Sequence, residues 1–228
     1  MPRATIQLES NLALHHFSED LVWSCRHHAR IAETAQNSYE VYVANMACVF
    51  SAASFLEARL NELTAQCAGP LAKPRRLSPE LWQTIHDMRK SLSHVQKWDL
   101  IASAAGGTVW SNAKEPFQSY DLLVSFRNEM VHYKGEFGDG IDPPIKKIRS
   151  LQKRLKVPLE ALQKEAPNTS WFASLLYSPR LGRWASELVD DFDMRFDHLI
   201  AGEPFTEEKR NLYALRALGT NPFRDAAA

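Results

Sequence analysis

Cysteine is scarce in this chain and poorly spaced for joint work. Cys25, Cys48 and Cys67 stand far apart, their number is odd, and no CxxC pair occurs. That pattern argues against a disulfide framework and a zinc site, and makes a reducing cytoplasm the expected compartment. Glycine is scarce too, nine in 228 residues. Apart from a short ATIQL near the start, which reads as one extended piece, nothing sustains strand-like alternation between turn dipeptides. Net charge is absent, with 27 basic and 27 acidic residues. A globally basic nucleic-acid binder is therefore not indicated, although a local patch stays open. The longest uncharged run, between Glu40 and Glu57, is 16 residues. That falls short of the ~20 apolar residues of a membrane span, and MPRATIQLESNLALHHF carries no apolar signal run. No P-loop, Rossmann fingerprint or nucleophile elbow occurs. The expectation is a soluble cytoplasmic protein with no membrane association, no cofactor and no metal.

What is present reads as helix. Hydrophobic content of 45% suffices for a packed core. A first helix is expected from about Ser18, as N-cap, to about Ala35. Asn37 with Glu40 has capping-box spacing and opens a second helix that stops at Gly69-Pro70. Its middle is apolar on nearly all sides and rich in small residues, the pattern of a central core helix. A third helix begins after Ser78, with Pro79 at its first position, and is expected to break near Ser93. Further helices are expected at about 117–134, at 144–157, and from Ser178-Pro179 onward. The expected fold class is all-α, a bundle of four to five main helices with a C-terminal helical extension. The chain divides into a segment 1–36 with the first helix, a helical domain 37–201 and a tail 202–228.

The segment SFRNEMVHYKG, residues 125 to 135, is unusual. At 100° per residue, Tyr120, Leu122, Leu123, Val124, Phe126, Met130, Val131 and Tyr133 fill a broad apolar arc. Asp121, Ser125, Asn128 and His132 fall on one narrow polar seam, while Arg127 falls inside the apolar arc. A buried guanidinium needs a partner. Glu57, in the long core helix, is one structural candidate; a bound phosphate, which arginine grips with two prongs, is another.

FRNEMVHY resembles the R-x(4–6)-H motif of HEPN domains, including the polar residue that often follows the arginine. The resemblance is specific in this segment. Over about 37–200 it is looser and consists of helix order: a long core helix, a helical pair, the motif helix and a closing helix. It does not cover the N-terminal segment or the tail. It implies a HEPN-like all-α bundle, a homodimer, and in many members a metal-independent ribonuclease of toxin, defence or RNA-processing systems. The implied catalytic residues are Arg127, Asn128 and His132. RNA is the implied substrate, and an antitoxin or other protein a possible further partner. A titratable imidazole can move a proton at neutral pH, and Arg127 and Asn128 can hold the charged phosphate. The plainer reading keeps His132 as a helix-end histidine and Arg127 as half of a structural ion pair. Sixteen arginines and eight histidines make the bare spacing cheap. A second instance, Arg89 and His94 in RKSLSH, lacks both the asparagine and the apolar flank.

PPIKKIRSLQKRLKVP concentrates Lys146, Lys147, Arg149, Lys153, Arg154 and Lys156 opposite Ile148, Leu151 and Leu155. Such a face is commonly just solvated. It is also the best candidate track for a phosphate backbone, so Lys146, Lys147, Arg149, Lys153 and Arg154 are the candidate nucleic-acid-binding residues. Adjacent histidines, as in His15-His16 and His27-His28, point to different helix faces, which argues against a metal site. Two functions stay open: a HEPN-like ribonuclease, and a catalytically silent helical module that binds RNA or protein through the same groove.

Overall fold

A computed structural model describes residues 16–69, 77–106, 113–132, 146–157 and 171–201. The expected extended ATIQL piece, the tail from 202 and the loop beyond His132 lie outside these residues. The described residues form α1 (Phe17–Thr34), α2 (Ser38–Ala68), α3 (Pro79–Asp87), a 3-10 turn (Met88–Lys90), α4 (His94–Gly106), α5 (Phe117–Val131), α6 (Lys146–Leu155), α7 (Trp171–Leu176) and α8 (Pro179–Ala201). They contain no strand, so the fold is all-α.

Local chemistry explains where three of the helices start. Asn37 Oδ1 accepts from Glu40 N at 2.9 Å, and Ser78 Oγ accepts from Leu81 N at 3.2 Å. Ser93 Oγ accepts from Gln96 N at 3.3 Å, while Gln96 Oε1 accepts from Ser93 N at 2.9 Å. That reciprocal capping box explains why the chain breaks at Ser93 and restarts as α4. Ser18 is a correction. The helix begins one residue earlier, and no side chain caps it. Ser18 instead gives its N–H and O–H to the buried Glu62 of α2, at 2.8 and 2.5 Å. A long-range carboxylate has captured a residue that local spacing assigns to a cap.

α2 is the central helix. Ala44, Cys48, Ala52 and Ala53 are almost completely buried and let neighbours approach closely. α1 packs along it most extensively, with α8, α3, α5 and α7 around the rest. The uncharged run alone is too short for a membrane span. The helix as a whole is long and apolar enough, with a mean hydropathy of 1.4 over 18 residues. Of that window, 44% is buried inside the bundle. Where α8 crosses, a Cβ on Gly182 would lie 2.8 Å from Asn45 Oδ1 and 3.1 Å from Ala29 Cα, so only glycine permits the contact. Asn45 Nδ2 donates to the Leu176 and Ser178 carbonyls, both at 2.7 Å, and ties the α7–α8 corner to α2.

α8 fastens the bundle twice. Its carboxylates reach the other helices: Asp190 pairs with Arg26 at 2.5 Å, and Asp193 and Asp197 pair with Arg59 at 2.9 and 3.1 Å. Burial pushes the Asp193 carboxyl up to about 6 despite that arginine. Its aromatic face supplies Phe192 and Phe196. Trp98 of α4 meets both rings edge-on, at 4.8 and 4.2 Å, and Tyr120 of α5 lies 4.9 Å from Phe192. This cluster holds the α4 and α5 side chains that surround the candidate site.

Candidate functional site

α5 changes character along its length. Phe117, Ser119, Tyr120, Leu122, Leu123 and Phe126 are buried. Beyond Phe126 no α5 residue is buried: Arg127, Asn128 and Met130 are half-buried, and Val131 is 51% exposed. The expected apolar arc therefore holds for the first turns and ends at the last, where the helix emerges from the bundle. The helix also stops earlier than expected. Its last residue is Val131, and exposed His132 is the C-cap, its N–H donating to the Asn128 carbonyl at 2.9 Å.

This geometry separates the motif residues. Asn128 and His132 are four apart and share a face, whereas Arg127 and His132 diverge by about 140° around the axis. Arg127 is not in a deeply buried position, and it forms no ion pair or hydrogen bond among the described residues. The structural pair with Glu57 does not form. Glu57 Oε1 lies 3.4 Å from Nε2 of His94, the first residue of α4. Arg127 stands close enough to this pair for its charge to act on His94 and on Tyr120.

A polar cluster thus lies where α2, α4 and α5 come together. Burial pushes the His94 imidazole below its ordinary value; Glu57 opposes this, while Lys97 and Arg127 add to it. Lys97 is only 6% exposed, and its amine reaches Asn61 Oδ1 at 3.4 Å. Burial lowers its affinity for the proton, Glu57 opposes that, and Arg89 reinforces it. Sequence spacing set the Arg89–His94 segment aside as a chance match. Its histidine is nonetheless the one that shares surroundings with Arg127. The Ser93–Gln96 capping box, readable in the sequence, was the signal that fixes His94 at the head of a helix.

The polar seam of α5 is partly occupied. Lys147 Nζ bonds Asp121 at 2.7 Å, and Arg154 bonds Glu115 together with Ser119 Oγ, the latter at 2.6 Å. Rising numbers on α6 meet falling numbers on α5, so the two run antiparallel. Ile148, Leu151, Gln152 and Leu155 face inward. Of the five candidate nucleic-acid-binding residues, Lys147 and Arg154 anchor the helix to α5, and Arg149 is exposed but not free of partners. Lys146 and Lys153 are exposed, as is Lys156. Among the described residues, no group of three or more His, Cys, Asp or Glu is placed to hold a metal ion.

No family model, curated protein or solved structure matches the chain.

Proposed function

We propose that the protein is a metal-independent endoribonuclease of HEPN type, acting as a homodimer in the cytoplasm. One observation carries the reading. The emergent turn of α5 holds Arg127, Asn128 and His132, and none of these side chains bonds to another described residue. A cation, an amide and an imidazole without structural duties are available to a substrate.

In the reaction the ribose 2′-oxygen attacks phosphorus, the P–O5′ bond breaks, and the products carry a 2′,3′-cyclic phosphate and a 5′-hydroxyl. A base takes the 2′-proton and an acid returns one to the departing 5′-oxygen. His132 performs one of these transfers, Arg127 balances charge on the phosphoryl oxygens, and Asn128 orients an oxygen or the imidazole. The divergence of Arg127 and His132 around one helix makes a two-fold partner useful, since it brings a second copy of each residue. The half-exposed Val131 beside His132 offers apolar surface for that contact.

The test is cleavage of mixed RNA by the purified protein and by His132→Ala, each with and without EDTA, with light scattering for the assembly. The proposal expects EDTA-resistant cleavage by a dimer and none by the variant. Wild-type-like cleavage by His132→Ala, or loss of activity in EDTA, refutes the mechanism. RNA binding without cleavage by the wild type makes the chain a silent binding module.

A further inference from the structure

We propose that Cys25 and Cys48 form an oxidative modification site: two thiols under reducing conditions, and one disulfide fastening α1 to α2 after reaction with hydrogen peroxide. Nothing in it depends on the ribonuclease reading. Wide spacing along the chain argues against a disulfide framework, yet two of the three cysteines meet across the helix pair.

Their sulfurs lie 3.6 Å apart inside the α1–α2 contact, and both residues are 0% exposed. A disulfide holds its sulfurs at about 2.05 Å, so closure asks them to approach by about 1.5 Å. No other pairing competes. Cys67 is on the same helix as Cys48, roughly 28 Å further along its axis at 1.5 Å per residue.

Hydrogen bonds order the reduced pair. Cys48 Sγ donates to the Gly182 carbonyl of α8 at 3.5 Å. With that proton committed, Cys48 accepts from Cys25. This bond, and then burial, hold the Cys25 thiol well above its ordinary pKa. A packed α1 therefore protects the pair, and oxidation proceeds when α1 lifts from α2 and admits the peroxide. One sulfur then attacks a peroxide oxygen, the O–O bond breaks, and a sulfenic acid and one water result. The second sulfur displaces the sulfenic oxygen, which leaves as a second water with the second thiol's proton. Both sulfurs are oxidised, and one peroxide becomes two waters.

The disulfide changes its surroundings in two ways. It keeps α1 from leaving α2. It also removes the thiol donor to Gly182, at the crossing where that glycine lies against Asn45 and Ala29, one turn beyond Cys25.

The test treats the full chain with hydrogen peroxide under native conditions. Remaining thiols are then blocked with N-ethylmaleimide in denaturant and counted by mass spectrometry. The expected product carries one blocked thiol in place of the three of the reduced chain, and a Cys25–Cys48 linked peptide that dithiothreitol separates. Amide exchange over Phe17–Thr34 should slow about ten-fold or more in the oxidised protein. Cys25→Ala and Cys48→Ala should each prevent the cross-link and the slower exchange. Three blocked thiols after treatment, or oxidation that stops at a sulfinic acid on Cys25 or Cys48, overturns the proposal. A cross-link that leaves the exchange of α1 unchanged overturns the fastening role. The wild-type readings decide the question even where a variant fails to fold.

Discussion

The chain contains two arginine–histidine pairs at the same spacing, and the bundle treats them differently. In Arg127–His132 both residues sit at the end of one helix, and they point apart. In Arg89–His94 the arginine belongs to a 3-10 turn and the histidine heads the next helix, because the Ser93 capping box restarts the chain between them. The side chains that come together are drawn from both pairs: Arg127 of one acts on His94 of the other. Linear spacing of a motif therefore defines candidates, and packing of α2, α4 and α5 decides which of them meet. Arg127 is common to both groupings, since its charge acts on His94, while His132 stays at the exposed helix end.

The largest expected effect separates the two histidines. His132→Ala should lower the cleavage rate by about 10²–10⁴-fold, the usual worth of a proton-transfer group, and leave the fold intact because His132 is exposed. Asn128→Ala should give a partial loss in the same RNA-cleavage assay. An activity loss confined to His94→Ala would transfer the proton-transfer role to the other segment.

A comparison of the arginines sharpens the contrast at smaller scale. Arg127→Gln should weaken oligonucleotide affinity about ten-fold, whereas Arg89→Gln should stay within about two-fold, since Arg89 acts on the cluster through Lys97. Fluorescence anisotropy resolves the two. Equal losses would mean that Arg89 touches the ligand.

The pH response of His94 is smaller still. Its folded value lies below the ordinary one, so folding favours the neutral ring. That contribution is present above about pH 6.5 and is lost as pH falls through the folded value. Thermal melts from pH 7 to 5 should show wild type losing stability faster than His94→Gln. Parallel curves would show that burial and the neighbouring cations do not act on this ring.

The smallest expected effect concerns α6. Lys147→Ala and Arg154→Ala should each cost up to about 1 kcal/mol by loosening the helix from α5. Lys146→Ala and Lys153→Ala should leave stability unchanged. They should instead reduce the salt dependence of RNA binding, because exposed lysines released from no structural pair are free to meet phosphates. An unchanged salt slope in the latter pair would make α6 a structural helix only.

Much of the fold was legible because it is written over three or four residues. Asn37 with Glu40 and Ser78 with Pro79 mark helix starts, since each cap side chain accepts from a backbone N–H one turn away, and Ser178-Pro179 puts proline at the first helical position. The small-residue centre of α2 announced a helix packed from several sides. Short α7 gave no comparable signal. Its corner with α8 is secured by Asn45, more than 130 residues away. Ser18 looked like a cap and serves Glu62, 44 residues away. The candidate site divides in the same way. Arg127, Asn128 and His132 stood out by residue type on an apolar helix, and Glu57 was named as a neighbour of the arginine. That Glu57 would take His94 instead was not visible, because the choice depends on how α4 lies against α2.

By itself, then, the amino-acid sequence determined the all-α class, the caps at Asn37 and Ser78, the central place of α2 and the placing of three chemically capable side chains within six residues at the end of α5. These follow from short-range hydrogen bonding and from the helical period. Only the tertiary structure decided where α5 leaves the core, which basic residues of α6 are consumed by Asp121 and Glu115, and which histidine shares a charged neighbourhood with Arg127. Those outcomes depend on distances between residues far apart in the chain, and such distances exist only once the apolar faces of α2, α4, α5 and α8 have packed together.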